Sequence, residues 1–185
     1  MKTYRKKWYS DVVLVAGASE GIGAAFAREL AAKGMELVLV ARGLEKLTAL
    51  ATEIEETQKV KCHIFQCDLG DAVGADAISC FLADNSLEVD ILVYNAAVSP
   101  IGPYLEMEKS EIDRAVQVNI TTQSKLLHSL SGRMAERGRG AEEFHSMLQP
   151  KPLAGYWPRV CGMSGGAGVW MLSPVVPVPQ LRPII

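Results

Sequence analysis

Residues 12–23 place a continuous apolar run directly before a glycine-rich turn: Val12-Val13-Leu14-Val15-Ala16-Gly17-Ala18-Ser19-Glu20-Gly21-Ile22-Gly23. An apolar run with no polar alternation is the pattern of a strand buried on both faces. Ile22, Phe26 and Leu30 then recur at i, i+4 spacing on one helical face, and Gly34 stands where a C′ glycine would end that helix. In such a strand-to-helix turn Gly17 lets the backbone leave the strand at dihedrals a Cβ resists. Gly21 removes bulk where backbone must approach a pyrophosphate, and Gly23 lets the new helix pack close to the strand. The helix N-terminus then points free N–H groups and a partial positive charge at the phosphates, and Ser19 adds a small hydroxyl donor. The alternative is a tight turn with no ligand. Glycines at this density cost stability unless something needs them, which favours the phosphate-binding turn of a dinucleotide site.

Farther along, strand-like and helix-like patterns alternate. Strands are predicted at 11–16, 36–41, 59–67 and 90–94, and helices at 21–33, 44–57 and 71–84. The inner face of the second helix is Leu47, Leu50, Ala51 and Ile54, and that of the third is Ile78, Phe81 and Leu82. A long helix over 109–137 is expected to bury Val116, Ile120, Leu127, Leu130 and Met134. This alternation predicts an α/β fold, a doubly wound parallel sheet of Rossmann type with strand order 3-2-1-4-5 and an incomplete C-terminal side. Residues 1–10 read as a basic and aromatic lead-in, and 11–140 as the dinucleotide-binding core. Residues 141–158, with Pro150, Pro152 and Pro158, read as an inserted loop. A fifth strand and second glycine turn fall at 159–170, and 171–185 form a proline-rich tail.

At 185 residues the chain is long enough for one cored domain, and its net charge of −2 gives no reason to expect nucleic acid. The basic N-terminal cluster lacks an apolar stretch after it, and no run approaches bilayer length, so membrane association is not expected. Cys62, Cys67, Cys80 and Cys161 form no C-x-x-C pair and match no zinc spacing. No metal site is expected; Cys62 and Cys67, in or beside a predicted strand, read as reduced core residues of a cytoplasmic protein, and His63 reads as a strand residue rather than a ligand.

The turn and four further stations resemble the short-chain dehydrogenase/reductase family. Its T-G-x-x-x-G-I-G motif is met by Ala16 to Gly23, with Ala16 in place of the usual threonine. Asp68-Leu69 after the third strand resembles the family's adenine-contacting station. Tyr94-Asn95-Ala96-Ala97 resembles its N-N-A-G motif, altered at the first and last positions. Asn119 matches the helix asparagine that helps the family's proton relay. The resemblance implies a hydride transfer between a nicotinamide dinucleotide and a carbonyl or alcohol substrate. It assigns cofactor contacts to Gly17, Ser19, Gly21, Ile22, Gly23, Arg42, Asp68, Leu69, Asn95, Ala96 and Ala97, and catalytic roles to Asn119 and Ser164. Each station has a plainer reading: Asp68 could N-cap the next helix, Asn95 could stabilise its own turn, and Asn119 could be a satisfied helix residue.

Arg42 stands just past the second strand, where the adenosine ribose would sit. An acidic residue there would bond the 2′-hydroxyl of NAD, and an arginine can grip the 2′-phosphate of NADP. Leu39-Val40-Ala41 contains no acid, so NADP is expected ahead of NAD. Glu20 pulls the other way, because a carboxylate in the turn repels phosphate.

The family's chemistry also needs a serine after strand five and a Tyr-x-x-x-Lys pair on the next helix. Ser164 aligns with the first serine of the strand-five motif, and Gly165 falls on the catalytic one, so Ser164 is a neighbouring candidate for that role. No tyrosine in the chain has lysine four residues later. With the insertion before 159 and the patternless end, this predicts a shortened or frame-altered product of a longer reductase gene. Two functions therefore stay open beside a non-functional fragment. One is an NADP-dependent oxidoreductase, and the other a non-catalytic relative that binds a nucleotide or a partner. Oligomeric state is left open.

Overall fold

Val13, Leu14, Val15 and Ala16 are wholly buried, so the strand that carries them must have neighbours on both edges and layers on both faces. That strand, β1 (Val12–Ala16), is central in the computed structural model, which describes residues 12–137 and two further strands at Ala141–Ser146 and Val169–Pro174. Around it follow α1 (Gly21–Ala31), β2 (Glu36–Ala41), α2 (Leu44–Gln58), β3 (Cys62–Gln66), α3 (Gly74–Asp84) and β4 (Ile91–Tyr94). After β4 come α4 (Lys109–Val116), a π-turn at Gln117–Thr122, α5 (Gln123–Glu136), β5 (Ala141–Ser146) and β6 (Val169–Pro174).

The sheet order is β3-β2-β1-β4-β5-β6. β1 pairs in parallel with both β2 and β4, and β3 and β5 extend the parallel sheet on either side. The period-2 alternation of strands divides the core in two. Val13, Val15, Leu37, Leu39, Ile91 and Val93 face α1 and α2 with Leu47, Leu50, Ala51 and Ile54, the inner face expected for α2. Leu14, Ala16, Val38, Val40, Leu92 and Tyr94 face α3 and α5, where Ile78, Leu82, Leu126, Leu130 and Met134 are buried. Phe81 is only partly buried and stacks on Phe65 at a centroid distance of 4.6 Å.

The long helix departs from expectation. Its buried stripe runs Val118, Thr122, Leu126, Leu130 and Met134, while Val116 and Ile120 are 46% and 54% exposed. The π-turn is the cause: its wider i→i+5 turn rotates the stripe away from the 3.6-residue phase that predicted Val116 and Ile120 inside.

The C-terminal boundaries shift as well. Ala141–Ser146, read from sequence as the start of a loop, is the fifth strand and pairs Ile91 with Ala141 through Tyr94 with Phe144. The open edge of β4 takes the first backbone that returns from α5, whatever its side-chain pattern. β6 runs antiparallel to β5 and overlaps the start of the expected tail. Residues 159–168 of the predicted fifth strand and glycine turn lie outside the described residues, as does the lead-in at 1–10. Among the described residues no helix is long and apolar enough to cross a membrane.

Candidate nucleotide-binding site

β1 is followed by a chain that first builds outward through β2 and β3 and then returns to its other edge as β4. Such a reversal opens a crevice at the carboxyl ends of the strands, the usual place for a ligand in a doubly wound sheet. A cavity of about 540 Å³ lies there. Gly17 and Ser19 reach it after β1, Arg42 after β2, Asp68 and Leu69 after β3, and Asn95, Ala96 and Ala97 after β4. The loops thus bring together eight residues far apart in sequence.

The glycine turn is built backbone against backbone. Gly17 has φ +86° and its N–H donates to the Val40 carbonyl at 2.8 Å. A Cβ on Gly17 would stand 2.7 Å from the backbone nitrogen of Ala96, so the turn rests on the loop after β4. Asn95 reaches the same place, its side-chain amide 3.5 Å from the Gly17 carbonyl. Gly21 differs: at φ +57° it has no heavy atom within 4 Å of where a Cβ would be. Gly21 and Ile22 are exposed at the start of α1, whereas Gly23 is buried beneath them. Glu20, the N-cap residue, places no side-chain hydrogen bond on that helix end, and no acid stands in the first turn. Free N–H groups, the positive end of the helix dipole and the open space over Gly21 together fit a pyrophosphate.

Two cations stand beside the turn. Arg42 forms no ion pair among the described residues. Lys46, in the first turn of α2, lines the same cavity and pairs with Glu20. The Lys46 hydrogen bond and charge, with a smaller contribution from Arg42, hold the Glu20 carboxyl below its ordinary range. The acid that argued against a phosphate is therefore neutralised in place. Lys46 was hidden in the sequence because an exposed lysine on a helix looks like any solvated charge.

Asp68 does not cap α3, whose N-cap residue is Val73. It accepts two hydrogen bonds from Arg114 Nη2, at 2.9 and 2.8 Å, and one from the Gly70 N–H at 2.8 Å. Burial pushes its carboxyl up, but the Arg114 and Gly70 hydrogen bonds and the charges of Arg114 and Arg42 outweigh this and hold it below the ordinary carboxylate range. Arg114 packs tightly over Gly70, where an added Cβ would meet its guanidinium at 2.7 Å. Sequence reasoning missed Arg114, because nothing in its helix pattern announces a partner 46 residues away.

Asn119 sits in the π-turn and does not line the cavity. Its Oδ1 accepts the Val98 N–H at 2.9 Å and its Nδ2 donates to the Val98 carbonyl at 2.7 Å. Val98 does line the cavity, so Asn119 shapes the wall through a clamp on its backbone. Tyr94 supports the same turn: its buried hydroxyl donates to the Val118 carbonyl at 2.6 Å. The Thr122 hydroxyl donates to the Leu69 carbonyl at 2.8 Å, which ties the turn to the loop after β3. Ser164 lies outside the described residues. Among those described, no three His, Cys, Asp or Glu side chains cluster as metal ligands.

Comparison with known proteins points the same way as the geometry. Residues 11–141 match the family described as short chain dehydrogenase. A 7beta-hydroxysteroid dehydrogenase of Clostridium sardiniense is 36% identical over 138 residues, 75% of this chain and 52% of that protein. The human inactive hydroxysteroid dehydrogenase-like protein 1 is 33% identical, over 73% of this chain and 41% of its own. A solved short-chain dehydrogenase from Sphingobium yanoikuyae, in complex with NADPH, superposes with a TM-score of 0.67 at 31% identity, covering 71% of this chain and 51% of that one. The chain spans about half the length of the curated relatives it matches.

Proposed function

Because the chain belongs to the short chain dehydrogenase family, we propose that its cavity takes a nicotinamide dinucleotide, NADP ahead of NAD. The observation that carries this reading is the uncapped start of α1, with open space over Gly21, directly after Ser19 and Glu20, which line the crevice together with Arg42. Gly17, Gly21, Ile22, Gly23 and Ser19 would hold the pyrophosphate. Arg42 would meet the 2′-phosphate with charge-assisted bonds, Asp68 and Leu69 the adenine, and Asn95, Ala96 and Ala97 the middle of the cofactor. The NADPH complex of the Sphingobium yanoikuyae relative supports the choice of cofactor.

When bound, such a cofactor supplies or accepts a hydride at its nicotinamide ring. The reading extends to an oxidoreductase acting on a small carbonyl or alcohol substrate. Asn119 is the positioning residue whose clamp on Val98 sets the cavity wall, and Ser164 is the candidate for orienting the substrate oxygen. Cys62, Cys67 and Cys80 are free thiols, and burial pushes Cys62 up to about 11, so it resists ionisation. These fit a reduced, cytoplasmic setting.

A second reading is a non-catalytic relative that binds the nucleotide without turning over. It is favoured by one observation, that no tyrosine of the chain is followed by lysine four residues on. The relative described as inactive gives it a precedent.

Thermal unfolding with NADPH, with NADH and without ligand tests the shared core of both readings. A ligand at 100 times its dissociation constant stabilises a folded binder by about 2.7 kcal/mol. A larger shift with NADPH supports the assignment, and a cooperative transition that neither cofactor moves overturns it. Consumption of NADPH in the presence of a panel of ketones then separates enzyme from silent binder.

A further inference from the structure

We propose that the π-turn couples the loop after β3 to the cavity wall after β4, and that Thr122 is the positioning residue through which the base end of the cavity is held. This rests on the dinucleotide reading above and gives a role to a residue that does not line the cavity.

A threonine hydroxyl inside a helix commonly bonds back to a carbonyl of the preceding turn. Thr122 is wholly buried and reaches across instead: its hydroxyl accepts the Gln117 side-chain amide at 3.0 Å and donates to the Leu69 carbonyl at 2.8 Å. Leu69 lines the cavity beside Asp68. The long helix holds the same loop at two further points, through Arg114 on Asp68 and through Lys125 Nζ on the Ala72 carbonyl at 3.2 Å. Earlier in the same turn, Asn119 clamps both backbone groups of Val98 in the wall after β4. One π-turn thus grips both loops.

A π-turn is rare and recurs at functional sites. Its wider i→i+5 spacing sets the angle between Asn119 and Thr122, and an ordinary α-helical turn would change that angle. The Val98 clamp and the Leu69 bond therefore favour the same register, so losing one weakens the hold on the other. A ligand that fixes the loop after β3 steadies the turn and, through it, Val98. The alternative is that each bond supports only its own loop, and that a bound nucleotide reaches Val98 by covering it directly.

The Val98 N–H is bonded to Asn119 Oδ1, so its hydrogen exchange reports whether the clamp is closed. The experiment follows that exchange by NMR in the full chain, with and without saturating 5′-AMP, a probe that carries the base and no nicotinamide. Exchange at Val98 should slow by about fivefold or more, the lower end of ordinary coupling between sites. Thr122→Val removes the hydroxyl at nearly constant shape. It should bind 5′-AMP about fivefold more weakly and, once saturated, no longer slow Val98. Thr122→Ser keeps the hydroxyl and should keep the slowing. Coupling is reciprocal, so Asn119→Ser should also weaken 5′-AMP, although Asn119 lies outside the cavity. That arm decides the matter if Thr122→Val does not fold. Bound 5′-AMP that leaves Val98 unchanged in the unsubstituted chain overturns the proposal. So does slowing that survives in Thr122→Val, or an Asn119→Ser chain that binds 5′-AMP normally. In each of these cases the nucleotide still binds and the dinucleotide reading stands. If neither 5′-AMP nor NADPH binds the folded chain, that reading falls and the coupling with it.

Discussion

A Cβ placed on Gly23 would stand 2.0 Å from the carbonyl oxygen of Gly17. The exit of β1 and the first turn of α1 therefore touch through backbone, and no side chain fits between them. Gly23→Ala must push the helix off the strand, and overpacking of this kind costs about 2–3 kcal/mol. Gly21→Ala meets open space and bears only the left-handed conformation, about 1–2 kcal/mol. Urea denaturation should show the larger loss of midpoint in Gly23→Ala. Dinucleotide titration should show that Gly21→Ala weakens binding in excess of its effect on folding.

Arg42→Asp should reverse the cofactor preference. The substitution removes a charge-assisted contact of about 1.5–3 kcal/mol and places a carboxylate where the 2′-phosphate is proposed to lie. NADPH affinity should fall by about tenfold or more, with NADH affinity unchanged or improved. Equal losses for both cofactors would show that Arg42 does not read the 2′ position.

The Arg114–Asp68 pair makes a prediction about acid stability. The folded carboxyl lies below its ordinary range, so its stabilising contribution is present above the unfolded pKa of about 3.9 and is lost as pH falls through the folded value. Arg114→Leu should cost about 1 kcal/mol at neutral pH, a modest figure because both side chains are about one-third exposed. The gap between the two proteins should hold from pH 7 to about pH 5 and close below about pH 4. A gap that stays constant down to pH 2 would mean the loss is one of packing.

At the other end of the sheet, Arg137 donates from Nη2 to the Val89 carbonyl at 2.7 Å and to Asp90 Oδ1 at 2.9 Å. Asp90 is wholly buried and its N–H donates to the Val12 carbonyl at 3.0 Å. Arg137→Leu removes the guanidinium from that buried carboxylate, at a cost of about 3 kcal/mol. Cofactor selectivity should not change, because this pair lies at the amino ends of the strands, away from the cavity. A selectivity change in this variant would indicate that the sheet as a whole had shifted.

What was readable in the chain follows what each kind of pattern reports. β2 begins at Glu36 and ends at Ala41 as expected, and α2 buries the four residues its periodicity named. Both are long elements whose side chains alone decide their faces. α1 was less transparent: Gly23, Ala24, Ala27 and Ala31 face the sheet, Phe26 and Leu30 pack at its margin, and Ile22 is exposed. Small residues gave no hydropathy signal, yet they are what lets α1 approach the sheet. β3 starts later than the predicted 59–67 because Lys59 takes a left-handed conformation as the C-cap of α2.

Backbone-determined features escaped. The π-turn at Gln117–Thr122 moved the buried stripe of the long helix, and it is held by Tyr94 from β4 and by Asn119 through Val98. Tyr94 had registered only as a departure from a motif, while its hydroxyl secures the turn that the motif's neighbour depends on. β5 escaped because Glu142 and Glu143 break any apolar run, whereas ladder pairing needs only backbone. At the site, the glycines, Arg42, Asp68 and the residues after β4 were readable as ordered stations. Lys46 and Arg114 were not, since each matters through a partner distant in sequence.

The crevice between the glycine turn, Arg42 and Asp68 is proposed to bind a nicotinamide dinucleotide. Isothermal titration of the chain with NADPH tests it most directly. Saturable binding at one site is expected, with a dissociation constant in the micromolar range, about −8 kcal/mol, and weaker binding of NADH. A chain that unfolds cooperatively yet gives no saturable heat with either cofactor would contradict it.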